Sequence, residues 1–354
     1  MTLDPEERLK RHLTQIVPPN MALWETARQR ELDLAKPRGA LGRLEDLAVQ
    51  LVSIQNALKP KHRHKLIVVC AGDHGVVEEG VSPYPSDVTI QQIANFQQGG
   101  GAITTLGQTV GAKVVLLDVG IKGDLPPHPK RIDAKIAHGT KNIAKGPAMT
   151  REEAVLSVLA GLELVLAQPR VDLVAAGEMG IGNTTPSSAI ASVLTDLTPE
   201  EATGVGSGLS PDKLAHKAAV IRRAIEVNQP NPDDPLDVLA KIGGLEIGAM
   251  TGVYLGGAIR RAGVIVDGFI AAAAALLAEK LSPGLSKFLI SGHRSKEKAH
   301  AAVLQRLGLE PLLDLGMWLG EGSGAAIAMF IVQCACTHYN NMRTLAEAGV
   351  SDAL

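Results

Sequence analysis

The chain has 354 residues, room for one large domain or two of ordinary size, and 45% of them are hydrophobic while only 3% are aromatic. Its core must therefore be built from Ala, Val, Leu and Ile, and 37 glycines point to closely packed layers. A formal net charge of -2, with no long block of like charge, argues against a nucleic-acid partner.

Three cysteines, Cys70, Cys334 and Cys336, lie in apolar sequence with neither a disulfide framework nor zinc spacing, which fits a reducing cytoplasm. The opening "MTLDPEERLKRHL" is charged and does not read as a signal peptide. The longest apolar runs, "GVIVDGFIAAAAALLA" and "GAAIAMFIVQCACT", fall short of the roughly 18 uncharged residues that a membrane span requires, so a soluble protein is expected.

In chain order, residues 1–58 show helical periodicity and no strand. "KPKHRHK" (59–65) is the most basic stretch and reads as a solvated turn before a strand. Short, nearly unbroken apolar runs follow at 65–75, 113–120, 171–180, 263–269 and 287–293, the pattern of strands buried on both faces of a parallel sheet. Between them lie helices with legible starts: Thr150 with Glu153, and Thr198 with Glu201, have capping-box spacing, and Ser210-Pro211 has the form of an N-cap and first helical residue. The alternation predicts an α/β fold, a doubly wound, mostly parallel Rossmann-like sheet flanked by helices. Residues 59–309 form the expected large α/β domain, and residues 1–58 with 310–354 a small helical domain from the two chain ends.

In such sheets ligands bind beyond the carboxyl ends of the strands, so the polar residues there are the candidate site. "GEMGIGNTTPSSAI" (177–190) offers Gly180 and Gly182 for close backbone approach, and Asn183, Thr184 and Thr185 as donors near a helix start, an arrangement suited to phosphate or carboxylate. A tight, capped strand-to-helix turn explains the segment equally well. "GVGSGLSPDKLAHK" (204–217) repeats the theme with Gly206 and Lys217, again as either a phosphate cradle or a structural loop. It has neither the dinucleotide-binding nor the Walker spacing. Asp73 and His74 end the first strand, His74 reading better as a hydrogen-bonded structural histidine than as a metal ligand. Asp267, Ser291, His293 and Ser295 complete the rim. "GEGSG" is not a nucleophile elbow, because Ser323 lacks the strand before it.

Glu321 stands alone in "LGMWLGEGSGAAIAMF" (315–330), between glycines and apolar sequence. Desolvation raises the pKa of such a carboxyl towards neutrality, as a general base requires, although a glutamate near a helix start can equally be a dipole-stabilised cap.

The motifs "GDHGV", "VTIQQIAN", "VGIKG", "GPAMT", "GEMGIGNTTP", "NQPNP", "GGLEIGAMTGV", "VDGFI" and "LGEGSGAAIAM" stand in the order and spacing of the nicotinate-nucleotide:dimethylbenzimidazole phosphoribosyltransferases. The chain resembles that family from "KPRGALGRLEDLAVQL" (36–51) to "MFIVQCACTHYNNM". The resemblance implies transfer of 5-phosphoribosyl from nicotinate mononucleotide to 5,6-dimethylbenzimidazole, releasing nicotinate, in the assembly of the cobalamin lower ligand. It implies Glu321 as the base that takes the benzimidazole N–H proton, and Glu178 and Lys217 as further catalytic residues. Gly180, Gly182, Asn183, Thr184, Gly206, Ser207 and Ser295 fall on the donor and phosphate side; Tyr84 and Gln92, with Ser82 and Gln91 as alternatives, fall on the acceptor pocket.

A cationic pyridinium is already a good leaving group, so neither metal nor cofactor is expected. A cytoplasmic homodimer without a nucleic-acid partner is implied. Two departures stand out: Val205 replaces an arginine common in the family's "GRGTG" loop, and "SPYPSD" is the acceptor segment most apt to change the preferred base, leaving adenine or a phenol as alternative acceptors. A non-catalytic nucleotide-binding paralogue is the competing reading. An NAD-dependent dehydrogenase is disfavoured by the missing fingerprint.

Overall fold

The computed structural model describes residues 4–206 and 208–351. Its centre is a sheet of six strands: β1 (Lys65–Gly72), β2 (Ala112–Gly120), β3 (Arg131–Asp133), β4 (Leu173–Met179), β5 (Gly263–Val266) and β6 (Leu289–Ser291). Spatially they run β3-β2-β1-β4-β5-β6, and every pairing is parallel. The order reverses between β1 and β4, which makes the crevice beyond their carboxyl ends the topological switch point.

The unbroken apolar strands have the expected cause. Leu66, Val68 and Cys70 of β1 face one hydrophobic cluster while Ile67, Val69 and Ala71 face the other, so side chains alternating along the strand are buried on both sides. The short edge strand β3 has no counterpart among the sequence expectations: its burial is one buried residue followed by two exposed ones, too little to stand out as an apolar run. The runs at 263–269 and 287–293 are strand only at 263–266 and 289–291. In both, the polar tail belongs to the turn that follows.

The helices are α1 (Pro5–Leu13), α2 (Met21–Asp33), α3 (Arg43–Gln55), α4 (Asp87–Gln97), α5 (Ala102–Thr109), α6 (Arg151–Leu166), α7 (Thr184–Leu194), α8 (Pro199–Ala202), α9 (Leu214–Asn228), α10 (Pro235–Ile242), α11 (Leu245–Ile259), α12 (Phe269–Leu281), α13 (His300–Leu307), α14 (Ser323–Asn341) and α15 (Leu345–Ala348). The capping boxes at Thr150 and Thr198 both form, although the second opens a helix of only four residues. Ser210 does precede a helical start, but its hydroxyl makes no capping bond.

Helix α6 lies directly on α11. A Cβ on Gly161 would stand 1.9 Å from the Ala249 carbonyl oxygen and one on Gly252 1.8 Å from that of Val158, so backbones touch where side chains would ordinarily intervene. This is how a core nearly without aromatics reaches close packing. The chain ends take both faces of the sheet. Leu9 of α1 joins the cluster containing α6 and α11, whereas α2, α3 and α14 cover the opposite face, with Leu51, Val332 and Tyr339 in its core. No helix among the described residues is long and apolar enough to cross a membrane.

Candidate active site

Two hollows lie at opposite ends of the sheet. The larger, about 740 Å3, is at the amino ends of the strands and is lined by Lys59, Lys61, Arg63, Arg170 and Arg260. All but Arg260 of these cations are exposed, and the carboxyl ends of α3, α6, α11 and α14 fall nearby in the chain, where positive charge offsets the negative helix ends. The smaller, about 120 Å3, lies at the carboxyl ends, and there the buried charges converge. Its lining includes Glu178, Lys217, Asp267, His293 and Glu297, each no more than 8% exposed.

The cavity also brings together Ser82, Gly180, Gly182, Asn183, Thr184, Gly206 and Ser295. Glu321, Tyr84, Gln91 and Gln92 do not line it, and Ser207 lies outside the described residues. Tyr84 is about half exposed, its amide donating to Ser82 Oγ at 3.1 Å, and Gln92 Oε1 accepts from Asn95 Nδ2 at 3.1 Å. These acceptor-side residues therefore sit on the rim of α4 and the loop before it.

Glu178 is the last buried residue of β4. Burial pushes its carboxyl up to about 8, against the opposing bonds from the Glu321 amide and from Asn183 Nδ2; nearby Glu246 and Asp267 push the same way as burial. At pH 7 it is mainly neutral and able to donate a proton or a hydrogen bond. Lys217, from α9, reaches Thr184 Oγ1 at 2.8 Å and the Gly204 carbonyl at 3.2 Å. Burial lowers it to about 8 in spite of Glu297, leaving a cation near neutral pH beside the start of α7, an arrangement able to receive an anion.

Gly320, Glu321 and Gly322 form a continuous left-handed stretch with φ of 84°, 64° and 89°. That conformation is costly for a glutamate and persists only where surrounding bonds enforce it. They do: the Glu321 amide donates to Glu178 Oε1 at 3.3 Å, that of Gly322 to Asp267 Oδ2 at 3.2 Å and that of Ala325 to Asp267 Oδ1 at 2.7 Å. The turn also presses on β4, where a Cβ on Gly177 would stand 2.0 Å from the Glu321 carbonyl oxygen. Two strand-end carboxyls thus shape the entry to α14.

The Glu321 side chain lies behind the cavity wall, its Oε2 accepting from the Ile103 amide at 3.4 Å at the start of α5. Burial raises its pKa, the Ile103 N–H holds it down, and Asp267 adds to the rise. The bond is long, so little anchors the carboxylate in that position.

Behind the floor, His74 Nε2 meets Glu246 Oε1 at 2.8 Å with both residues buried, which makes His74 a hydrogen-bonded histidine. Thr89 of α4 accepts from the Ile181 amide at 3.0 Å, tying that helix to the Gly180–Asn183 loop. Glu246, Thr89, Ile103 and Glu297 are the residues that sequence reasoning passes over. Glu297 in particular sits in "SKEKAH", whose charge suggests surface, yet its Oε1 accepts from the Gly206 amide at 2.9 Å. Among the described residues no group of three or more His, Cys, Asp or Glu side chains is arranged to hold a metal ion.

A family model described as "Phosphoribosyltransferase" matches residues 16–350. The chain belongs to the phosphoribosyltransferase family. It is 52% identical over 347 residues to a nicotinate-nucleotide–dimethylbenzimidazole phosphoribosyltransferase of Desulforudis audaxviator, covering 98% of both chains. With the enzyme of the same name from Chloroflexus aurantiacus it shares 48% identity over 342 residues, 96% of this chain and 97% of that one. The crystal structure of CobT from Thermus thermophilus superimposes with a TM-score of 0.90 at 43% identity, covering 94% of this chain and 100% of that chain. A phosphoribosyltransferase must hold a phosphate, a ribose and two exchanging bases. Here one cavity combines a buried cation, a helix start and a series of buried acids.

Proposed function

We propose that the chain transfers the 5-phosphoribosyl group from nicotinate mononucleotide to 5,6-dimethylbenzimidazole, giving α-ribazole 5'-phosphate and nicotinate in cobalamin nucleotide-loop assembly. The observation that carries the reading is the cavity at the carboxyl ends of the strands, lined by both Lys217 and Glu178, in a chain that matches a relative of that name over 98% of its length.

In this reading the donor phosphate lies at Lys217, the Thr184 end of α7, Gly206 and Ser295, with Ser207 a further contact. Gly180, Gly182 and Asn183 form the wall along which the nucleotide lies. The acceptor base enters over Ser82 and Met179, with Tyr84, Gln91 and Gln92 at the rim. Glu321 turns from the Ile103 amide to the acceptor and takes its N–H proton. The other ring nitrogen attacks C1' from the face opposite nicotinate, forming the new C–N bond as the old one breaks. The bonding pair returns to the pyridine nitrogen and cancels its positive charge. Inversion yields the α-linkage. Glu178, mainly neutral, holds the Glu321 amide and sits beside the reacting centre without adding a second negative charge. The active form is a cytoplasmic homodimer.

The test is incubation with nicotinate mononucleotide and 5,6-dimethylbenzimidazole, following nicotinate and α-ribazole phosphate, with Glu321→Gln in parallel. The expected result is product from the wild type and a drop in kcat on the order of a hundredfold or more in the variant, the scale of losing a general base. Release from the wild type only with adenine or a phenol would move the acceptor; no release with any of these acceptors would leave a binding protein instead.

A further inference from the structure

Buried polar atoms without partners gather at and behind one wall of the cavity, where His293 and Glu297 are lining residues and Ser291 and His300 lie outside the lining. Ser291 Oγ, both ring nitrogens of His293, Glu297 Oε2 and His300 Nε2 are all buried with no hydrogen-bond partner in the protein. A buried polar group left unpaired loses the hydrogen bond it made to water and gains none in return, so a cluster of them within ten residues marks a surface built to be completed by something else.

His293 is the member whose surroundings define that partner. The residue is 1% exposed, lines the cavity, and is fixed on two sides: a Cβ on Gly324 would stand 2.0 Å from its Cδ2, and one on Gly268 3.4 Å from its Nε2. Its Nε2 lies 3.8 Å from Asp267 Oδ1, beyond hydrogen-bonding distance. Asp267 in turn is held rigidly by the amides of Gly322 and Ala325. An acceptor oxygen and a ring nitrogen are thus presented side by side, both buried, with a gap that neither closes.

We propose that Asp267 and His293 together receive the vicinal 2',3'-diol of the ribosyl group. Neighbouring hydroxyls of a cis-diol stand about as far apart as two hydrogen-bonded oxygens, so one can donate to the carboxylate while the other bonds the imidazole. The location suits the sugar. Lys217 lies on the phosphate side of the cavity, and Asp267 holds the turn that carries Glu321, which the function proposed above places at the N–H of the acceptor whose other nitrogen attacks C1'. A diol here would fix C2' and C3', and through them the face that C1' offers to the acceptor. His293 is in this account a ribose-binding residue and takes no proton.

The inference rests on the phosphoribosyl-transfer reading, and its test separates the two. Equilibrium binding of ribose 5-phosphate and 2-deoxyribose 5-phosphate is measured by calorimetry on the wild type, His293→Gln and His293→Phe, with thermal unfolding recorded for each. Steady-state kinetics follow with nicotinate mononucleotide and its 2'-deoxy and 3'-deoxy forms. The expected wild type prefers the ribose compounds by at least tenfold in binding and more in kcat/KM, because a site built around hydroxyls rejects the analogue that leaves its groups unpaired. In folded His293→Phe that preference falls to within threefold, and His293→Gln recovers part of it. An unchanged preference in folded His293→Phe overturns the assignment, as does a wild type indifferent to the hydroxyls. Absence of nicotinate release by the wild type would overturn the transfer reading alone, since the calorimetry needs no turnover.

Discussion

Glu321 shows how much a single residue depends on others far away in sequence. Its left-handed conformation is imposed by Glu178 and Asp267, from the ends of two strands. Asp267→Asn keeps the shape but replaces one accepting oxygen with a donor facing the Gly322 and Ala325 amides, so the turn loses a bond and kcat should fall, while donor KM should rise because the ribosyl diol also loses an acceptor. Equal kcat in mutant and wild type would show that the turn holds without Asp267. Glu178 carries a pH signature. Its folded pKa of about 8 lies above the ordinary 4.5, so the folded state keeps a proton that the unfolded chain releases. The stability it contributes is full below the unfolded value and is lost as pH rises through the folded one. Glu178→Gln, with the Asn183 amide turned to match, should therefore gain in Tm relative to the wild type between pH 5 and pH 8.5. A difference in Tm that stays constant across that range would contradict a protonated Glu178.

At the scale of elements, the α6/α11 contact decides how the donor loop is supported. Helix α11 packs on β1 and β4, the strands that end at the switch point, and α6 lies against it with glycines at the crossing. Gly252→Ala should force the two helices apart and cost about 1–3 kcal/mol, the usual penalty of overpacking, seen as a lower urea midpoint. Thr150→Ala should remove the capping box of α6 at a cost of about 1 kcal/mol. The two costs should add in the double variant, because the cap and the crossing share no partner. The basic segment at 59–65 has an element-level explanation: it stands at the carboxyl ends of helices, where cations offset the dipole, while Lys65 alone turns inward to the Val110 carbonyl at 2.7 Å.

Across the whole molecule, one cavity gathers groups whose charges change together. Lys217 and Glu178 both titrate near 8, so the site holds a cation and a neutral acid below that pH, and a neutral amine and a carboxylate above it. Both changes weaken the hold on an anionic donor. The kcat/KM for nicotinate mononucleotide should fall above about pH 8, with an opposing group in Glu321 on the acid side, and Lys217→Arg should shift the alkaline limb upward. A profile flat to about pH 9.5 would place neither group in the donor site. Much of this was legible beforehand. The unbroken apolar runs determined a parallel sheet, since only strands covered on both faces can be apolar at every position, and the capping spacings determined where α6 and α8 begin. The glycine-rich strand ends determined where a ligand can approach the backbone. Distances between segments were not legible, because residues such as Glu178, Asp267, His293 and Glu321 are separated by stretches of chain whose lengths say nothing about the space between them. Only the tertiary structure decided that Asp267 shapes the Glu321 turn, that Glu297 is buried against Gly206, and that His293 is left with two unpaired nitrogens, for hydrogen bonds between strand ends exist only once the strands are in order.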